Sequence, residues 1–359
     1  MILEVTTISS WKEPYIGGIV NFVTKVCIYL GLAFFSLGVS ADTILINGAG
    51  ASFPYPIYSK WFAEYKKVKP NVEINYQMIG SGAGIRQLLA QTVDFGASDA
   101  PMGKREMKRS RQPVLHIPTV IGAVVVSYNI PGLQKNLRLD GNLLAEIFMG
   151  KVSRWNDPKI AALNSNVTLP DTEIVVVHRS DSSGTTYVFT DYLSKVNPDW
   201  KKTVGHAKTV RWPKGLGGRG NPGVAGQIKN TPGAIGYIEY NYAQQNDLKT
   251  ADLKNQAGEF VSPSKEATTK AAMNFMDKMP EDFRISITNP PGKGAYPISA
   301  FTYILAYNSM VGSKAQVLSD FIGWAMGPGQ AMAGDLSYAP LPDALIKKVK
   351  ASVKINSTK

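Results

Sequence analysis

The chain has 359 residues, 44% of them hydrophobic, which is enough for a large core and for two domains. Its formal net charge of +12 favours anionic partners without naming one. The single cysteine, Cys27, excludes a disulfide framework and any metal site built from cysteines.

Residues 26–41, VCIYLGLAFFSLGVSA, form an uncharged apolar run behind Lys25 that ends in the small-residue pattern Val39-x-Ala41. This predicts a secretory signal over residues 1–41, cleaved after Ala41. The run is shorter than the ~20 apolar residues of a spanning helix, so an uncleaved anchor is the weaker reading. Cys27 lacks the small neighbours of a lipoprotein processing site, and the stretch before Lys25 is long for a signal's charged end, which leaves the translation start open. A soluble exported chain follows. Losing residues 1–41 removes Lys12, Lys25, Glu4 and Glu13, so the net charge is unchanged.

Beyond the signal, TILING (43–48) predicts a short buried strand and AGASFP (49–54) a Gly-rich turn, followed by helical spacing in YPIYSKWFAEYKKV (55–68). VEINYQM (72–78) alternates strictly, as a strand does. GSGAG (80–84) is a second turn, IRQLLAQT (85–92) a short helix, and DFGASDAP (94–101) a brief strand ending in polar residues. VIGAVVVSYN (120–129) and EIVVVH (173–178) are continuous apolar runs typical of strands covered on both faces, and a helix is predicted to start near Thr185. GAIGYIEY and ISAFTYILAY supply further strands; SKAQVLSDFIGWAM and PDALIKKVKASV supply late helices. Region 246–294 is polar and contains SPSKEATTKAAMNFMDKM (262–279) as its one clear helix. Strands alternating with helices predict an α/β architecture with largely parallel sheets.

Three turns, 48–54, 80–84 and 179–185, share one order: strand, then Gly/Ser/Thr, then helix start. In open α/β sheets ligands bind beyond the carboxyl ends of strands, where such turns gather. A helix start leaves backbone N–H groups unpaired and carries partial positive charge, so it suits an anion. One such turn is weak evidence of a ligand, because Ser, Thr and Gly also cap helices. Three in one chain, joined by Arg179, point further. Arginine offers a planar fork of donors to phosphate-like oxygens. Its plainer reading is a surface ion pair with Asp181, and both hold if Asp181 orients the guanidinium.

Asp99 is the odd member. A carboxylate repels an anion unless that anion brings a proton, which phosphate does near neutral pH and sulfate does not. An ionised Asp99 would accept from P–OH but leave sulfate facing a buried unpaired charge, at about 1–3 kcal/mol or more. The alternative is a strand-end aspartate that caps the next turn.

Other chemistries fare worse. A hydrolase using Ser183 or Ser81 needs an oriented base. The histidines are His116, His178 and His206, and no G-x-S-x-G elbow occurs. No His/Asp cluster has the spacing of a metal-dependent phosphatase. KREMKRSR (104–111) is the densest basic run, but it has no interleaved aromatics for base stacking, so a solvated face is expected rather than nucleic-acid binding.

GAGASFPYPIYSKW, IGSGAGIRQLLAQTVDFGASDAPM, HRSDSSGTTYVFTDYL and GLGGRGNPGVAGQIKNTPGAIGYIEYNYA together resemble the periplasmic phosphate-binding proteins of Pst-type ABC transporters. The resemblance is in order, runs from about Thr43 to the C-terminus and is weakest at 246–294. It implies a type II periplasmic-binding-protein fold with two lobes, each a mainly parallel sheet flanked by helices, joined by a hinge of two crossovers. Lobe I is then 42–121 and 300–359, and lobe II 122–299, with crossings near 118–124 and 296–302. Phosphate would lie dehydrated between the lobes. Ser52 and Phe53 would give backbone N–H groups, Ser52 and Ser81 hydroxyls, and Ser81 its N–H as well. Asp99 would accept the phosphate proton, Arg179 would clamp, Ser183, Gly184 and Thr185 would form the third turn, and Asp181 would hold Arg179. The resemblance also implies a periplasmic monomer without cofactor or metal, partnered by inner-membrane permease subunits with a cytoplasmic ATPase. The chain departs from the family in three places: Ser52 replaces a usual threonine, the second turn reads Gly-Ser-Gly-Ala-Gly instead of Gly-Ser-Ser-Gly-Gly, and His178 stands where a second arginine is common.

Overall fold

A computed structural model describes residues 43–358; the expected signal segment and Cys27 lie outside the described residues. The chain begins with β1 (Ile44–Gly50), α1 (Tyr55–Val68), β2 (Val72–Met78), α2 (Ser81–Leu89) and β3 (Phe95–Ser98). β1 lies between β2 and β3 and is parallel to both. α1 buries Ile57, Tyr58, Trp61 and Tyr65 and ends in Lys66 and Lys67, which suit the negative end of the helix dipole. Because the three strands run in one direction, Ser52, Ser81 and Asp99 all follow carboxyl ends on the same edge of the sheet.

After α3 (Lys104–Arg109) comes β4 (Val114–Tyr128), fifteen residues and buried almost throughout. β5 (Arg138–Leu139), α4 (Gly141–Phe148) and α5 (Pro158–Leu163) lead to β6 (Val175–Arg179), α6 (Gly184–Val196), α7 (Pro198–Thr203), β7 (Leu216–Gly218), α8 (Gly220–Asn230), β8 (Ala234–Glu239) and α9 (Tyr240–Gln245). Here β6 lies between β7 and β8, again parallel to both. The short strands β9 (Lys249–Thr250), β10 (Asp252–Lys254) and β11 (Phe260–Val261) precede α10 (Lys265–Met273). The chain closes with β12 (Ser299–Tyr307), β13 (Ser309–Val311), α11 (Ser313–Ala325), α12 (Asp343–Ser352) and β14 (Asn356–Thr358).

β4 joins the two parallel groups. Its first part, Val114–Ala123, pairs antiparallel with β12, which also pairs with β3; its second part, Val124–Tyr128, pairs antiparallel with β8. The described residues thus hold a nine-stranded sheet ordered β2-β1-β3-β12-β4-β8-β6-β7, with β9 also on β4. The two-lobed α/β fold is present, with a parallel triplet in each half and antiparallel strands at the centre. β3 runs with β4 and β8 runs against it, so both triplets aim their carboxyl ends toward the middle of β4. The β4–β12 register shifts at Thr302/Tyr303, opposite Pro118, which has no N–H to give the ladder.

Candidate functional site

The first turn leaves β1 through Ala51, Ser52 and Phe53, all buried. The Ser52 hydroxyl accepts from the backbone N–H of Asn221 at 3.0 Å and from its Nδ2 at 3.2 Å, which leaves its own proton free to donate. The second turn starts α2 at Ser81, whose hydroxyl accepts from Gly184 N–H at 3.0 Å. Gly82 N–H donates to the Ser182 carbonyl at 2.9 Å, a second tie between the second and third turns. Gly184 has to be glycine: a Cβ there would lie 2.5 Å from Ser81 Oγ and 2.6 Å from an Asp99 oxygen. In the third turn Ser183 Oγ caps α6 by accepting Thr186 N–H at 3.0 Å, and Ser183 N–H is taken by the Lys208 carbonyl at 2.8 Å. Ser183 therefore has its hydroxyl proton to offer, but not its amide. The backbone N–H groups of Ser52, Phe53, Ser81 and Thr185 meet no acceptor among the described residues, although all four residues are buried. Buried amides without partners are rare and require an account.

Arg179, only 3% exposed, ends β6 and donates from Nε to Asp181 Oδ1 at 2.7 Å and from Nη2 to Oδ2 at 2.6 Å. Its Nη1 reaches Thr185 Oγ1 at 3.2 Å. A guanidinium carries five N–H groups, so donors remain on both terminal nitrogens. Asp181 also accepts Gly220 N–H at 3.0 Å. Burial alone would raise the Asp181 pKa, but the bonds and charge of Arg179 hold it below the usual carboxylate range. Asp181 thus holds Arg179 in a bidentate pair.

Asp99, also 3% exposed, approaches the same Thr185 hydroxyl that Arg179 reaches. Thr302 donates to its Oδ1 at 2.9 Å, and Thr185 approaches Oδ2 at 3.4 Å. Burial pushes its pKa up to about 7, against the pull of Thr302 and Arg179. A carboxyl raised in the folded chain supports stability fully below its unfolded pKa, and that support is lost as pH rises through the folded value. The ligand-free protein is therefore expected to lose roughly 4 kcal/mol of stability between about pH 4 and pH 7 through this group. Denaturant titrations of the parent and Asp99→Asn across that range check it: the variant's profile should be flatter, and parallel profiles would contradict the assignment.

The structure brings together Ser52, Phe53, Ser81, Asp99, Arg179, Ser183, Gly184 and Thr185, with Asp181 behind Arg179. Sequence reasoning missed Asn221, Thr302 and Glu239. Asn221 fixes the Ser52 hydroxyl, reaches Thr185 Oγ1 at 3.4 Å, and lies inside the quoted Gly-Arg-Gly-Asn-Pro segment, which was the available signal. Thr302 reaches Asp99 across the β-bulge, which no local pattern announces. Glu239, fully buried at the end of β8, accepts Asn241 N–H at 3.0 Å, and burial holds its carboxyl well above the usual range.

None of the three histidines contacts Ser81 or Ser183. His116 Nε2 accepts Met102 N–H at 3.0 Å, His178 stacks on Trp212 with ring centres 4.8 Å apart, and His206 meets Tyr187 edge-on. A serine nucleophile consequently has no histidine base among the described residues. His178 is half-buried and donates to the Arg179 carbonyl at 3.1 Å, so it braces the strand end. The basic run is α3 and its flank: Lys104, Arg105, Lys108, Arg109 and Arg111 are exposed, while Glu106 pairs with Lys208 at 2.8 Å.

Residues 38–328 match the PBP superfamily domain. The chain is 45% identical over 334 residues to the phosphate-binding protein PstS of Pasteurella multocida, covering 92% of this chain and 96% of that one. It is 46% identical over 312 residues to PstS of Haemophilus influenzae, covering 86% and 92%. Among solved structures, a high-affinity periplasmic phosphate-binding protein bound with phosphate superimposes with a TM-score of 0.71 at 22% identity, over 87% of this chain and 96% of that one. An ABC-type phosphate transport receptor from Vibrio cholerae superimposes with a TM-score of 0.56 at 16% identity, over 83% and 100%. At those identities the two structures speak for the fold alone.

Proposed function

Because the chain belongs to the PstS family of phosphate-binding proteins within the PBP superfamily, we propose that it captures inorganic phosphate between its lobes and delivers it to an ABC transporter for import. It is a binding protein, not an enzyme. The observation that carries the reading is the convergence of unpaired buried amides, the buried guanidinium of Arg179 and the buried carboxyl of Asp99 on a single place. Amides of Ser52, Phe53, Ser81 and Thr185, hydroxyls of Ser52, Ser81 and Ser183, and the free edge of Arg179 supply hydrogens to phosphate oxygens. Gly184 lets Ser81 and Asp99 come close, and Asp99 faces the one oxygen that carries a proton.

Lobe I would comprise 42–121 and 300–359, and lobe II 122–299. The partner change of β4 between Ala123 and Val124, and the start of β12 at Ser299, support limits near these positions. The lobes would close on phosphate by hinge motion about β4 and β12. The chain would act as a periplasmic monomer after cleavage at Ala41, handing phosphate to inner-membrane permease subunits driven by a cytoplasmic ATPase. Among the described residues no helix is long and apolar enough to cross a membrane.

Incubating the exported chain with a phosphomonoester and with labelled phosphate tests the class of activity. The expected result is one retained phosphate per chain with no ester turnover. Turnover without retention would overturn the reading in favour of hydrolysis.

A further inference from the structure

Three consecutive carbonyls of the first turn are each held by a tyrosine hydroxyl. Tyr76 of β2 donates to Ala51 O at 2.7 Å, Tyr242 of α9 donates to Ser52 O at 2.7 Å, and Tyr338 donates to Phe53 O at 2.6 Å. A trans peptide is planar, and its C=O and N–H point to opposite sides. A hydroxyl fixed on the Ala51 carbonyl therefore sets the direction of Ser52 N–H, and one fixed on the Ser52 carbonyl sets Phe53 N–H. These are two of the buried amides that meet no acceptor among the described residues. The third tyrosine anchors the Phe53–Pro54 peptide, which has no N–H to aim, where the chain turns into α1.

We propose that Tyr76 and Tyr242 are positioning residues for anion capture, with Tyr338 anchoring the exit of the turn: the first two pin the Ala51 and Ser52 carbonyls so that the Ser52 and Phe53 amides are already aimed at phosphate. The inference rests on the phosphate-binding reading above and adds the groups that make its donors ready. The rings are themselves fixed. Tyr76 stacks on Phe95 and meets Tyr58 edge-on, and Tyr338 packs against Phe53. Burial pushes all three phenols above their usual pKa, so they stay protonated donors across the working pH range. A donor that needs no reorientation on binding loses less to ordering, which is how preorganisation raises affinity.

Tyr242 differs from the other two in where it comes from. It lies within 122–299, whereas the turn it holds lies in 42–121. Its bond spans the two lobes, as do the bonds from Asn221 to the Ser52 hydroxyl. The Ser52 carbonyl also accepts Tyr55 N–H at 3.3 Å from within the first segment, so closure of the lobes adds the shorter of two holds on the peptide that carries Phe53 N–H. The Tyr76 bond lies wholly within the first segment and aims Ser52 N–H whether the lobes are apart or together.

The test is Tyr242→Phe, which keeps the ring and removes the hydroxyl. Phosphate titrations by calorimetry should show binding weakened about tenfold. In amide NMR the downfield displacement of the Phe53 proton on adding phosphate should shrink, while that of Thr185 stays at the parent value. Unchanged affinity with an unchanged Phe53 response overturns the proposal. A uniform loss across all amides together with a lower melting temperature of the ligand-free chain also overturns it, since that is what a merely structural tyrosine gives. If Tyr242→Phe does not fold, Tyr76→Phe carries the same test with Ser52 as the reporting amide. A parent chain that fails to bind phosphate at all sinks the functional reading instead, so the two failures are told apart.

Discussion

Replacing Arg179 with alanine is expected to weaken phosphate binding by about 2–5 kcal/mol, the range for removing one member of a desolvated charge pair. That corresponds to roughly a thirtyfold to several-thousandfold rise in Kd. The side chain is 1% exposed, so its interaction with a bound anion is little screened by water. Its direction is set beforehand by the two bonds to Asp181, so the remaining donors on both terminal nitrogens would meet an anion without further ordering. Lysine should not rescue, because an ammonium cannot keep the bidentate bond to Asp181 while presenting a second edge. Calorimetry of Arg179→Ala and Arg179→Lys checks this. Parent-like affinity in the alanine variant, with the fold confirmed by circular dichroism, would remove the clamp from the account.

The second large effect concerns selectivity. In Asp99→Asn the preference for phosphate over sulfate should collapse, because an amide can donate to either anion where an ionised carboxylate can only accept. The raised pKa of Asp99, about 7, refines the expectation. One proton lies between the carboxyl and the bound phosphate, whichever partner formally owns it. Sulfate brings none, so above pH 7 it can enter only if Asp99 takes up a proton from solvent. Its Kd should then rise about tenfold per pH unit above 7 and level off below. In the asparagine variant that slope should vanish. Competition of sulfate against labelled phosphate from pH 5 to 9 measures it, and a parent chain whose sulfate affinity ignores pH would contradict the role given to Asp99.

Much of this site is written locally, and that part is legible in the sequence. A Gly/Ser/Thr turn between a strand and a helix is recognisable within five or six residues, so the turns 48–54, 80–84 and 179–185 are legible from the pattern, whereas the roles given to Ser52, Ser81 and Ser183–Thr185 come from the family resemblance. The bidentate Arg179–Asp181 pair is also local, two positions apart. What was missed is held by contacts across the chain. Thr302 meets Asp99, Tyr242 meets Ser52, and Asn221 meets the same serine, all from far along the sequence. The periodicity of Thr302's strand announces a strand and nothing more.

The fold divides in the same way. The sequence predicts a strand over 120–129, yet β4 begins at Val114, because pairing with β12 tolerates Pro118 at a register shift that no local propensity foretells. The helix predicted from 85 begins at Ser81, through two glycines that propensity disfavours. Those glycines are required by close approach: Gly82 packs against Ser182, and Gly84 against the backbone of β1. The helix predicted over 262–279 is confined to Lys265–Met273, capped by Ser264 at one end and stopped at Asn274. Parallel triplets follow from the alternation of strands and helices. The antiparallel centre arises from two long strands, β4 and β12, meeting across most of the chain.

A crystal structure of the chain grown with phosphate tests the central claim most directly. One dehydrated anion is expected within hydrogen-bond distance of the Ser52, Phe53, Ser81 and Thr185 amides, held by the Arg179 guanidinium and facing an Asp99 oxygen. Phosphate bound elsewhere, or bound here with water between it and both Asp99 and Arg179, would contradict it.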